Sequence, residues 1–94
     1  MVVHLTEDRE GDMQPQVGFV VSKAVGNAVH RNLVKRRLRA ATVARLDVLP
    51  PYGRAVVRAL PPSSSATFDE LSSDLARGID RAVVRLRDRE SVRR

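Results

Sequence analysis

Apolar positions recur along this chain with two different periods, and the change of period marks its elements. Val2, Val3 and Leu5, with His4 among them, form a short run rich in β-branched residues. Polar, turn-forming residues close the run, which predicts a strand over 2–5. Residues 7–16 carry four acids against Arg9, together with Gly11 and Pro15, and predict a polar connection. Val17, Phe19 and Val21 alternate with Gly18, Val20 and Ser22, which predicts a second strand with one apolar layer, expected to pair with the first. Beyond Asn27, a good N-cap, the period lengthens and neither Gly nor Pro interrupts it for some twenty residues. A helix is predicted over about 28–46. Projected at about 100° per residue, Arg31, Lys35 and Arg39 follow one another with Asn32 and Arg36 beside them. Val29, Leu33, Ala40 and Ala44, with Val34, Leu38 and Ala41, make an apolar arc expected to pack on a sheet. Arg37 lies inside that arc and must snorkel to reach water.

Pro50-Pro51-Tyr52-Gly53 stops this segment, residues 54–60 read as a third strand, and the Pro-Pro-Ser-Ser-Ser run at 61–65 closes it. Thr67 and Glu70 then form a capping box. Phe68, Leu71, Leu75, Ile79, Ala82, Val83 and Leu86 recur at helical spacing, so residues 68–87 are predicted to be an amphipathic helix. Its acids (Asp69, Glu70, Asp74) lie near the positive end of the helix dipole and Arg81, Arg85 and Arg87 near the other. Gly78 forfeits about 1 kcal/mol against Ala within a helix, which predicts that the helix approaches the sheet closely there. Phe19 and Phe68 are expected in the core. The order strand, strand, helix, strand, helix gives an α+β fold: a two-layer α-β sandwich, one domain over 1–94, with a small sheet carrying its helices on one face.

Charge changes the picture. Seven cations and no acid fall between Ser22 and Leu46, so this stretch carries +7 in a chain whose net charge is +6, and everything outside it sums to −1. Like charges one helical turn apart repel by about 0.2–0.5 kcal/mol per pair, and a polyanion such as a nucleic acid relieves that repulsion, the alternative being a merely solvated basic face. Candidate chemistry is sparse by comparison. His4 and His30 have no carboxylate at ligand or triad spacing, the serines at 63–65 have no accompanying base, and Gly18 and Gly26 do not make a phosphate-cradling loop. No catalytic or metal-ligating set is predicted. The sequence has no cysteine, no apolar run of the roughly 18 residues a membrane span needs, and no signal pattern at its start, so a cytoplasmic protein is expected.

Val25-Gly26-Asn27-Ala28-Val29, Arg31-Asn32, Lys35-Arg36 and Arg39 stand at fixed spacing, and this segment resembles the signature helix of the bacterial ribonuclease P protein component. The resemblance implies an α-β sandwich with a mixed sheet and a left-handed crossover. It also implies a role as the RNA-binding subunit of an endoribonuclease, in which a catalytic RNA with its Mg²⁺ ions trims the 5′ leader of precursor tRNA. Lys23, Asn27, Arg31, Asn32, Lys35, Arg36 and Arg39 would then contact RNA, with no catalytic residue on this chain. His4 falls where the family often has an aromatic lining a leader cleft. An imidazole there could stack on a base or be an exposed strand residue with no role. Leu33 stands where the family usually has a second arginine, which removes one RNA contact. The family also begins with a further helix before the first strand, and its lack here is expected to reflect either a late start or a truncation. The uncovered sheet surface is expected to be bordered by Val2, His4, Val17 and Phe19. A non-catalytic RNA-binding module, such as a ribosomal or assembly protein, and a truncated inactive form are the alternative readings.

Overall fold

The computed structural model describes residues 1–60 and 67–93, and side chains as far as residue 89. The Pro-Pro-Ser-Ser-Ser run expected as a loop lies outside the described residues. The elements are β1 (Val2–Glu7), β2 (Gln16–Val21), a 3-10 turn (Lys23–Val25), α1 (Ala28–Val43), a second 3-10 turn (Leu46–Val48), β3 (Gly53–Ala59) and α2 (Phe68–Arg93). This is the expected α+β order, although α1 ends three residues early and α2 runs on past Arg87.

The sheet differs from expectation in its pairing. β2 does not lie beside β1; β3 stands between them, antiparallel to β1 and parallel to β2. The reason is visible in the connection. Residues 8–15 are too many for a tight hairpin, and they cross the start of β3, held there by backbone bonds from Asp8 N–H to the Tyr52 carbonyl and from Tyr52 N–H to the Met13 carbonyl, both 2.9 Å. Arg54 secures the same loop, donating to the carbonyls of Asp12 at 2.8 Å and Gln14 at 3.3 Å. The chain then returns from β2 through α1 to β3, and a parallel neighbour needs such a long crossover.

Strict alternation sorts the sheet into two faces. Val3, Leu5, Ala55, Val57 and Ala59 are buried beneath the helices, with Val17, Phe19 and Val21 half-buried beside them. His4, Thr6, Gly18, Val20, Val56 and Arg58 are exposed on the opposite, open face. His4, Val56 and Gly18 are in register across it. Val17 and Phe19 therefore do not border the open face with Val2 and His4 as expected, because odd and even positions of β2 point apart.

The capping box holds α2 as predicted: Thr67 N–H donates to the Glu70 carboxylate and Glu70 N–H to the Thr67 hydroxyl, each at 3.2 Å. Leu71, Leu75, Ile79, Ala82 and Val83 fill the core from this helix. Phe68, expected in the core, is 43% exposed, since it precedes the first turn that reaches the sheet. Gly78 does mark a close approach: a Cβ there would lie 2.7 Å from Val3 Cγ2. At its far end Arg89 donates to the Leu5 carbonyl of β1 at 2.8 Å.

Candidate nucleic-acid interface

Short-range capping aims α1. Ser22 Oγ accepts from Ala24 N–H at 3.2 Å to start the 3-10 turn, and Val25 is buried as its anchor. Gly26 follows, where a Cβ would sit 2.9 Å from His30 Cβ. Asn27 Oδ1 then accepts from His30 N–H at 3.0 Å, satisfying one of the free donors of the first turn. Asn27 is therefore engaged as a cap, with His30 exposed above it.

The helix lies rotated relative to its expected orientation. Val34, Leu38, Ala41 and Thr42 are buried, the Thr42 hydroxyl donating to the Leu38 carbonyl at 2.7 Å, whereas Val29 is 76% exposed and Ala40 and Ala44 are exposed too. The apolar arc was wider than the strip α1 can bury, and packing against both β2 and α2 selected the edge of it that includes Thr42. Arg31 consequently turns toward the core side. It is half-buried, and its Nε is buried with no hydrogen-bond partner among the described residues. Leu33 and Arg37 are half-buried as well.

Asn32, Arg36 and Arg39 stand on the outer face, and Lys35 is half-buried at its margin. With Val29 these residues line one open hollow of about 590 Å³. Lys23 is exposed on the preceding turn. Among the described residues none of Lys23, Arg31, Lys35, Arg36 or Arg39 forms an ion pair, whereas Arg45 pairs with Asp80 of α2 at 3.8 Å. Four predicted residues are thus gathered around one hollow, whereas Lys23 and Asn27 lie before the helix and do not line it, and Arg31 leans away. Val29 was missed as a member, although its spacing of three and seven residues from Asn32 and Arg36 places it on their face. His4 is not part of this cluster: it lies on the open sheet face, and the helices cover the other.

An open concavity walled by unpaired guanidinium and ammonium groups, with one amide and one apolar contact, suits a phosphate backbone better than a small molecule, which calls for enclosure. Comparison with known proteins agrees with that chemistry. The profile of the family described as Ribonuclease P matches residues 1–83. The chain is 56% identical over 75 residues to the ribonuclease P protein component of Beutenbergia cavernae, covering 80% of this chain and 62% of that one. It is 47% identical over 81 residues to the ribonuclease P protein component of Mycolicibacterium vanbaalenii, covering 86% and 68%. Among solved structures, the RNase P protein of Staphylococcus aureus superposes with a TM-score of 0.75 at 28% identity, over 85% of this chain and 72% of that one.

Proposed function

The chain belongs to the ribonuclease P protein family, and from that premise we propose that it is the RNA-binding subunit of a ribonuclease P ribonucleoprotein, acting in the endonucleolytic 5′ maturation of tRNA. The observation that carries the reading is the unpaired cationic hollow of α1, which sits within the family-matching residues. Arg36 and Arg39 present forked donors to phosphate oxygens, Lys35 and Lys23 add point charges, and Asn32 supplies neutral hydrogen bonds. Each phosphate neutralised lets two RNA segments approach more closely than their own charge allows. In this reading the subunit assists cleavage by relieving repulsion between catalytic RNA and precursor. Bond breaking and its Mg²⁺ are assigned to the RNA. Among the described residues no three His, Cys, Asp or Glu side chains group as cation ligands. The leader is assigned to the open sheet face, where His4 offers a stacking surface. A cytoplasmic location goes with this role.

The test is a salt titration of binding to the catalytic RNA. Four phosphate contacts, from Lys23, Lys35, Arg36 and Arg39, should give a slope of log K against log salt of about −2.8 to −3.6, at 0.7–0.9 per contact. A slope shallower than about −1.5 would sink the reading.

A further inference from the structure

Among the described residues no strand pairs with the outer side of β1, and the second half of α2 reaches it. Arg89 of α2 donates to the Leu5 carbonyl, so that carbonyl faces off the sheet. Val3 and Leu5 of β1 are themselves buried, at 4% and 3% exposure, so the groups that face solvent here are the side chains of α2. Arg85, one turn before Arg89, lines the same hollow with His4 and Thr6. Its volume is about 100 Å³, room for about three waters, which fits a single phosphate group and not a base. No acid lines it. Of the carboxylates nearest the two arginines, Glu7 of β1 pairs with Arg9, and Asp88 of α2 is exposed and does not line the hollow. Arg85 is exposed and, among the described residues, has neither ion pair nor hydrogen bond. The Leu5 carbonyl is already taken by Arg89, and the two guanidinium groups give the hollow its positive charge.

We propose that this edge is a second RNA-contact site, in which Arg85 and Arg89 hold one backbone phosphate of a strand lying over the open sheet face. His4 and Thr6 belong to both surfaces, so the strand need only cross the rim of the sheet to reach the arginines. The proposal rests on the RNA-binding reading above and adds to it a contact on the far side of the sheet from the α1 hollow.

The experiment compares Arg85→Ala, Arg85→Glu, Arg87→Ala and Arg36→Ala in the full chain. Binding is measured to catalytic RNA alone, to its complex with leader-bearing precursor tRNA, and to its complex with a leaderless tRNA. Arg87 is the matched control, since it lines a different hollow with Val48 and Pro50. Arg85→Ala is expected to weaken binding about tenfold, the loss of one charge-assisted hydrogen bond, and to make the salt slope shallower by about 0.7–0.9, with Arg87→Ala within about twofold of wild type. A loss confined to the leader-bearing complex assigns the phosphate to the leader. An equal loss in all three arms assigns it to the catalytic RNA, and either supports the site. Wild-type binding by both Arg85 variants in every arm while Arg36→Ala fails, or equal losses at Arg85 and Arg87, overturns the site and leaves the α1 reading standing. Wild-type binding by Arg36→Ala as well overturns both.

Discussion

Replacing Gly78 by Ala should destabilise this domain, against the ordinary expectation for a helix interior. Helix propensity favours Ala over Gly by about 1 kcal/mol, so an unobstructed site would gain that amount. Here the new Cβ would lie 2.7 Å from Val3 Cγ2, roughly 1 Å inside the normal carbon–carbon separation of about 3.5–4.0 Å. Val3 is 4% exposed on β1 and cannot swing into solvent, and a β-branched side chain has few χ1 alternatives. Relief must come from lifting α2 off the sheet, and overpacking of this kind typically costs about 1–3 kcal/mol. The net expectation is a loss of about 1 kcal/mol, or a fall in Tm of about 4–8 °C for a domain this size. Val3→Ala alone should cost about 1.5–3 kcal/mol, the burial lost with its methyl groups. In that background Gly78→Ala should instead stabilise by up to about 1 kcal/mol, because the obstructing methyl is gone. The four proteins of this cycle, unfolded in urea and by heat under circular dichroism, measure the sign reversal directly. Stabilisation by Gly78→Ala in the wild-type background would refute the close-approach argument.

Arg31→Met keeps the length of the side chain while removing a buried Nε that has no partner among the described residues. It should raise stability by about 1–3 kcal/mol, the penalty of an unsatisfied buried polar group, as thermal melting would show. Asn27→Ala removes the cap on His30 N–H and should cost about 0.5–2 kcal/mol in a urea melt, with RNA affinity falling as the entrance to α1 frays. Leu33→Arg should tighten RNA binding, since Leu33 is half-buried on α1 and a long side chain there can extend to solvent. An unfolded circular-dichroism spectrum for this variant would show that Leu33 is needed in the core instead.

Local signals were legible in the sequence wherever one residue type has one structural use. Asn27, the Thr67 and Glu70 box and Gly78 each performed the role their chemistry dictates. Signals that require knowing the neighbour were not. Alternation in β2 showed which residues share a layer but carried no information on whether β1 or β3 would lie beside it, and the eight-residue connection was the available clue that it would not be a hairpin. Helical projection placed Asn32, Lys35, Arg36 and Arg39 together correctly. The apolar arc of α1 exceeded what one sheet and one helix could cover, so its exposed margin, Val29 with Ala40 and Ala44, was fixed by packing alone. Arg31 shows the consequence at the site, where a rotation of the helix moved one cation from the outer face toward the core.

The central claim is that the α1 hollow makes this chain an assistant to RNA-catalysed cleavage. Its most direct test is precursor-tRNA cleavage by the catalytic RNA at low Mg²⁺, with wild-type protein and with a Lys35→Ala, Arg36→Ala, Arg39→Ala variant compared at equal concentration. All three positions line the hollow, and none forms an ion pair among the described residues, so the variant should melt within a few degrees of wild type. Each lost charge-assisted contact should cost about 1.5–3 kcal/mol of RNA binding. Wild-type protein is expected to restore cleavage at low Mg²⁺, and the folded variant is not. Equal restoration by the variant would contradict the claim.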